Sequence, residues 1–337
     1  MKYYFIVNSM RYKEILLKKR KLDSKGPLPS ELLHNLDEWF RIELTYSSNA
    51  IEGNTLTRQE TALVVEKGIT VGGKSLKEHL EATNHAKAID WIKKLSKRKI
   101  TSITEKDILD IHAIILDGID NSNSGFYRRV PVRISGSRVI SPNPLKIPDL
   151  MKKFIKCLKD SKKLNPIELA AEAHYRLVTI HPFIDGNGRT ARLLMNWILL
   201  MSGYPIAIIR KEDRLAYINS LEKVQLGGPK DDYLKLIYKA VDRSLDIYLN
   251  TIEGKKTKDF SEKKEQIFKI GQLAKKVNES ISTIRFWTKC GLLDVSQITS
   301  SGYQLYDSSM IERIEKIKEL KTKRYTLDEI KNKLHLT

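Results

Sequence analysis

The chain has 337 residues, with 60 Lys and Arg against 41 Asp and Glu, a formal net charge of +19. That length holds about two domains. Two cysteines, Cys157 and Cys290, exclude a disulfide framework and suit a reducing, cytoplasmic setting. The opening Met1–Ser9 has too short an apolar run for a signal peptide. The longest apolar stretch, Leu193–Met201, is interrupted by Asn196 and falls well short of a membrane span, so no membrane partner is expected. The positive balance favours an acidic partner, nucleic acid first; a lysine-rich solvated surface is the alternative.

In chain order, helical periodicity dominates. Leu28–Tyr46 reads as a helix with Leu32, Leu33, Leu36, Trp39, Phe40 and Ile42 inward, followed by a polar segment at Ser48–Asn54. Thr57-Arg-Gln-Glu60 is a capping-box pattern that opens a second helix. Gly72-Gly73 turns the chain into a long helix, Leu76–Leu95, and Thr104-Glu-Lys-Asp107 starts another over Ile108–Leu116. Between Gly125 and Pro144 the pattern changes. Val130, Val132 and Ile134 alternate, Ser135-Gly136-Ser137 turns, and Val139-Ile140 continue, as in a β-hairpin. A lone hairpin is marginal in water, so this one is expected to lean on the helices and to offer an edge to an extended peptide. Leu164–Ile180 and Asp231–Thr251 are further helices, and Glu253–Asp259 reads as a charged linker. The expected organisation is an N-terminal helical region at 1–100, a core at 101–252, a linker at 253–266 and a small domain at 267–337.

The segment His181-Pro-Phe-Ile-Asp-Gly-Asn-Gly-Arg-Thr-Ala-Arg192 concentrates the chemistry. Pro182 discourages helix at His181, and Thr190–Met201 reads as a buried helix, so the polar residues sit on a loop that feeds a helix N-terminus. His181 can take a proton near neutral pH. Asp185 can hold a hard cation such as Mg²⁺ beside phosphate oxygens. Gly186 and Gly188 let backbone approach a phosphate, with Asn187 between them, and helix-start N–H groups favour anions. Arg189 and Arg192, three apart, supply guanidinium forks on one face. His174, seven residues before His181, is too far from it for simple chelation and reads as structural.

This segment resembles the signature of the Fic family, His-Pro-Phe-x-Asp/Glu-Gly-Asn-Gly-Arg-x-x-Arg, at every fixed position. The likeness extends over roughly residues 30–250. It implies an all-helical core that transfers AMP from ATP to a protein hydroxyl. His181 would deprotonate the target, Asp185 would bind Mg²⁺, the Gly186–Gly188 turn would hold phosphates, and Arg189 and Arg192 would neutralise the triphosphate. The hairpin, through Val130, Val132 and Ile134, would be a flap that holds the target segment. The base pocket would fall at Ile218 and Gln225, with Tyr217 adjacent, where relatives carry an aromatic residue and an asparagine. The resemblance also gives meaning to Ser48-Asn-Ala-Ile-Glu52-Gly53, which matches the family's inhibitory pattern Ser/Thr-x-x-x-Glu-Gly/Asn. It implies that Glu52 pairs with Arg192 in the space the γ-phosphate needs. A carboxylate there satisfies the arginine and repels the incoming anion.

Downstream, Ile270, Leu273, Ala274 and Val277 form one apolar face, and Ile281, Ile284, Phe286 and Trp287 the next, which is helix-turn-helix spacing. The segment Ile270-Gly-Gln-Leu-Ala, Thr283-Ile-Arg285, Gly291-Leu-Leu293 and Gly302-Tyr303 resembles the MerR family of winged helix-turn-helix proteins. By that resemblance Thr283 and Arg285 lie at the major groove and Tyr303 touches phosphate of double-stranded DNA. Residues 255–337 hold 18 Lys and Arg against 11 Asp and Glu, which suits that partner. Gln304 stands where the family's wing carries a basic residue, and reading two half-sites would need a homodimer formed elsewhere in the chain.

The expected fold is therefore mainly α: a helical core with a hairpin flap, plus a small winged helix-turn-helix. The expected function is an autoinhibited protein adenylyltransferase using ATP and Mg²⁺. Two alternatives stay open: a DNA-binding regulator with a nucleotide-sensing Fic domain, and transfer of a different phosphate-containing moiety.

Overall fold

The computed structural model describes residues 2–134, 136–160, 164–255, 268–295, 297–298, 303–306, 309–323, 325–327 and 329–330. The chain divides into two compact units, Met1–Lys255 and Lys256–Thr337.

The first unit is helical: α1 (Lys2–Asp23), α2 (Ser30–Ile51), α3 (Arg58–Lys67), α4 (Leu76–Lys94), α5 (Glu105–Leu116), α6 (Ile147–Asp160), α7 (Pro166–Ile180), α8 (Asn187–Met201), α9 (Arg214–Gln225) and α10 (Asp231–Ile252). α8 is its axis. Leu193, Leu194, Met195, Trp197, Ile198 and Leu199 are all fully buried, and a helix apolar on every side must be wrapped by others. It packs along α7 and against α2, α4 and α5. Each such side chain contributes about 1.5–3 kcal/mol of burial. One continuous core joins Phe40 of α2, Ile89 of α4, Phe154 of α6 and Ile237 of α10, so the N-terminal helices and the helices that flank His181–Arg192 fold as one body.

Local chemistry sets the helix starts. Thr57 with Glu60, Ser75 with Glu78, Thr104 with Asp107, and Asn165 with Glu168 form reciprocal capping boxes at α3, α4, α5 and α7. Each such cap stabilises its helix by roughly 0.5–2 kcal/mol. Two helices lie outside the sequence expectations. α1 is lysine-rich and is held along α10 by Lys18, 2.6 Å from Asp242 and 2.8 Å from Asp246. α6 buries Ile147, Met151, Phe154 and Leu158.

The structure corrects two sequence expectations. Ser48–Ile51, read as a polar segment, is the last turn of α2, and Glu52 is its C-cap. The polar side chains there are buried because distant partners satisfy them: Asn49 Nδ2 donates to the Glu81 carbonyl at 3.2 Å, and Ser48 Oγ accepts from Arg192 Nε at 2.9 Å. The hairpin between Gly125 and Pro144 is, among the described residues, a single antiparallel bridge between Arg133 and Ile140. Pro131 removes a ladder donor. Side chains hold the segment instead. At its base Arg128 donates to the Val130 and Pro142 carbonyls, at 3.0 and 2.6 Å. At its tip the Glu222 carboxylate accepts from Arg138 N at 2.7 Å and Ser137 Oγ at 3.1 Å. Val130 is exposed, Val132 and Ile134 half-buried, and Ser135 lies outside the described residues.

The second unit contains α11 (Ile270–Lys276), α12 (Ile281–Lys289) and α13 (Ser309–Thr322). A three-stranded antiparallel sheet joins β1 (Phe268–Lys269), β2 (Gln297–Ile298) and β3 (Gln304–Tyr306) in the order β1-β3-β2. Leu273, Ile284, Trp287, Leu293, Tyr306 and Ile314 form its core. Among the described residues no helix is long and apolar enough to cross a membrane.

Candidate active site

The loop between α7 and α8 is built to a fixed shape. His181 caps α7 in the left-handed conformation, φ 50° and ψ 57°, which turns the chain sharply. Asn187 staples the loop from within. Its Oδ1 accepts from Phe183 N at 3.0 Å and its Nδ2 donates to the Phe183 carbonyl at 2.9 Å. Gly186, φ 77°, is the N-cap of α8, and a Cβ there would press on the His112 ring at 3.3 Å.

His112 of α5, absent from the sequence-derived site, pins the same loop. Its Nδ1 lies 3.0 Å from Gly125 N, which donates to it, and its Nε2 3.0 Å from the Asp185 carbonyl. These contacts fix a neutral tautomer with the proton on Nε2. Its ring stacks on Phe183 at 3.6 Å and 5°. Burial, the largest influence, pulls its pKa down to about 4. Arg128 is a second residue the sequence reading missed: Nε donates to the His181 carbonyl at 2.8 Å, and its backbone N–H to the Pro182 carbonyl at 2.9 Å. Both lie more than 50 positions from their partners, and no local pattern signals such pairings.

His181 Nδ1 lies 3.3 Å from the Val178 carbonyl, an acceptor, so Nδ1 carries the proton and Nε2 keeps its lone pair. Burial pulls the pKa of His181 below its ordinary value, against the opposing influence of the Val178 contact, with Arg128 adding to the depression. A neutral imidazole with a free Nε2 is a base at neutral pH. Asp185, half-exposed, accepts from Gly186 N through Oδ1 at 2.6 Å, and its Oδ2 lies 3.3 Å from Arg189 Nη2.

The two arginines are buried and differently engaged. Arg189 Nη1 lies 3.1 Å from Glu81 Oε1. Its Nε and Nη1 make no well-aligned hydrogen bond. Arg192 is fully occupied: Nε donates to Ser48 Oγ at 2.9 Å, and Nη2 donates to the Ser48 carbonyl at 2.9 Å and to Glu52 Oε1 at 2.7 Å. Burial disfavours its charge, but the Glu52 carboxylate more than compensates and holds the guanidinium above its ordinary pKa. Glu52 also lies across the start of α8, since a Cβ on Gly188 would run into its carboxylate. The segment expected to inhibit and the His181–Arg192 motif, 140 positions apart at Glu52 and Arg192, thus meet at this ion pair and at the two Ser48 bonds. Gly53, φ 100°, ends the turn.

The expected base-pocket residues are placed otherwise. Tyr217 is 3% exposed, and its hydroxyl pairs with His174 Nε2 at 2.8 Å and accepts from Arg192 Nη1 at 3.4 Å. It therefore backs Arg192 rather than facing an open pocket. Successive helix residues point about 100° apart, which leaves Ile218 on the outer side at 36% exposure. Gln225 Nε2 donates to Thr179 Oγ1 at 3.2 Å, beside the end of α7. His174 is buried between the Tyr217 and Tyr233 hydroxyls, in keeping with a structural role.

In the second unit, Thr283 sits in the first turn of α12, its N–H donating to Ser280 Oγ at 3.0 Å. Arg285 is exposed on that helix. Tyr303 is 62% exposed, with Lys269 Nζ 5.9 Å from its ring centre. Gly302 lies outside the described residues.

Known proteins are similar to this chain in sequence and fold. The Fic/DOC family model matches residues 102–199, and that of MerR HTH family regulatory proteins matches residues 268–336. A protein adenylyltransferase Fic from Nematostella vectensis is 41% identical over 206 residues, 60% of this chain and 48% of its own. The chain thus spans about half the length of the curated relatives it matches. A solved Fic domain-containing signaling protein from Bacteroides thetaiotaomicron is 32% identical with a TM-score of 0.66, covering 74% of this chain and 100% of that one. A Fic-1 segment from C. elegans is 30% identical at a TM-score of 0.66, covering 74% of each chain. The chain belongs to the Fic family, and its C-terminal unit is a MerR-like helix-turn-helix.

Proposed function

We propose that this protein is an adenylyltransferase that moves AMP from ATP to a hydroxyl side chain of a protein, itself included, and that Glu52 holds it inactive. The carrying observation is the 2.7 Å pair between Glu52 and Arg192 over the start of α8, where an anion would otherwise bind. The acceptor hydroxyl attacks the α-phosphorus, the bond to the pyrophosphate oxygen breaks, and His181 Nε2 takes the hydroxyl proton. Arg189, whose Nε makes no hydrogen bond, can receive phosphate oxygens by turning from Glu81; Arg192 becomes ready when Glu52 leaves. Among the described residues no cluster of three His, Cys, Asp or Glu side chains is set to hold a metal. Asp185 is a single half-exposed carboxylate beside the helix start, which fits Mg²⁺ carried on the phosphates that supply its other oxygens. That ion would offset charge on the leaving pyrophosphate.

Double-stranded DNA is the second proposed partner, through Thr283, Arg285 and Tyr303 of the MerR-like unit. The exposed guanidinium of Arg285 on α12 favours it over a purely internal role for that helix.

Intact-mass spectrometry after incubation with ATP and Mg²⁺ tests the transferase reading. The expected result is a gain of one AMP unit on the chain or on a lysate protein, lost in His181→Ala while that variant still binds nucleotide. Transfer by His181→Ala at the parent rate removes His181 as the base, and a gain of another mass identifies a different donor group.

A further inference from the structure

The turn that carries Glu52 is held from outside by one carboxylate that also holds an arginine of the catalytic motif. Glu81 of α4 is 9% exposed. Its Oε1 lies 3.1 Å from Arg189 Nη1, and its Oε2 accepts from Asn54 Nδ2 at 2.9 Å. Asn54 closes the end of α2: its N–H donates to the Asn49 carbonyl at 3.0 Å, and its Oδ1 accepts from Leu56 N at 3.0 Å. Glu81 therefore touches the inhibitory turn with one oxygen and the phosphate arm with the other.

We infer that Glu81 is a positioning residue that couples phosphate binding at Arg189 to the hold on Glu52, through Asn54. The inference rests on the autoinhibited-transferase reading. When phosphate oxygens draw Arg189 away, Glu81 is left as a nearly buried carboxylate without its cation. Such a group is costly, so it turns toward water and loosens its bond to Asn54. The turn that positions Glu52 then loses an anchor, and Arg192 is freed. The coupling is reciprocal, so weakening the Glu81–Asn54 bond must also tighten nucleotide binding.

Two substitutions break the bond. Asn54→Ala removes it together with the Nδ2 bond to the Glu78 carbonyl at 3.1 Å and the bond from Leu56 N; Asn54→Asp loses the same two Nδ2 bonds, keeps the size and the acceptor toward Leu56, and sets an oxygen against Glu81. The full chain carries each, alone and with Glu52→Gly, and the readouts are self-labelling from ATP, ATP affinity by calorimetry, and thermal unfolding. Either Asn54 variant should raise labelling roughly tenfold, the effect of one charge-assisted hydrogen bond, and tighten ATP by a similar factor. On the Glu52→Gly background, at saturating ATP, neither should change labelling, because the carboxylate that Asn54 helps to position is gone. Labelling that falls by the same factor on both backgrounds, or ATP affinity unchanged in folded variants, overturns the inference. Tighter ATP binding in Asn54 variants with no labelling by any variant upholds the coupling and faults the transferase reading alone.

Discussion

Glu52→Gly is the sharpest perturbation of the site. Arg192 would lose its 2.7 Å contact to Glu52 Oε1 yet keep Ser48 Oγ at 2.9 Å, the Ser48 carbonyl at 2.9 Å and the Tyr217 hydroxyl at 3.4 Å. The guanidinium therefore stays in place, and only the side toward Gly188 opens. A hydrogen bond between charged groups contributes about 1.5–3 kcal/mol net. The Glu52 side chain is 38% exposed, so water screens part of its attraction and the lower half of that range applies. That corresponds to a release of about 10- to 50-fold in the balance between blocked and open states. The assay is self-labelling from ATP carrying a labelled α-phosphate, at matched ATP and Mg²⁺, with intact mass to confirm the group. Glu52→Gln, which keeps the volume and loses the charge, should fall between the parent and Glu52→Gly. Thermal unfolding checks that both variants fold, since Glu52 caps α2 and pairs with the buried Arg192. Equal labelling by the parent and a folded Glu52→Gly would refute the claim that this ion pair gates the phosphate site.

Two further outcomes follow from the same structure. His112 and His174 are buried neutral, with pKa values drawn down by burial to about 4 and about 3. The unfolded chain binds protons at these sites below about pH 6.5 while the folded one does not, so their contribution to stability is complete above that pH. It is lost progressively as pH falls toward 4, and denaturation midpoints over pH 7.5 to 4.5 should decline; His112→Gln should flatten the decline. A midpoint that holds steady across this range would mean that these rings are hydrated. For the MerR-like unit, DNA affinity of the full chain should fall steeply with salt, and Arg285→Ala should weaken binding further. Absent or salt-independent binding in gel-shift titration would turn that unit toward a protein partner.

Much of the site was legible because its residues are neighbours in sequence. His181 through Arg192 is one loop and one helix turn, and the capping boxes at Thr57 and Thr104 lie within four residues. What escaped detection depends on distant contacts. His112, Arg128 and Glu81 look like ordinary helix or loop residues until the fold sets them against Asp185, His181 and Arg189. Ser48 and Asn49 favour turns locally, and only Arg192 and Glu81 make them acceptable in a buried helix. The alternation at Val130–Ile134 suggested strands, but the segment is tied down by Arg128 and Glu222 instead of by a ladder. α1 gave no periodic signal, because its place is set by α10.

The short stretch Pro182–Gly186 ends one helix and begins the next, and it is clamped from inside by Asn187 and from outside by His112 and Arg128. On the transferase reading, proton acceptor and anion cradle therefore belong to one clamped corner between helices. They would not drift apart independently, and acceptor and donor substrates would meet at a distance set by the backbone. Any change that softens this corner should harm turnover and nucleotide affinity together, and no compensation from the donor side alone should restore either.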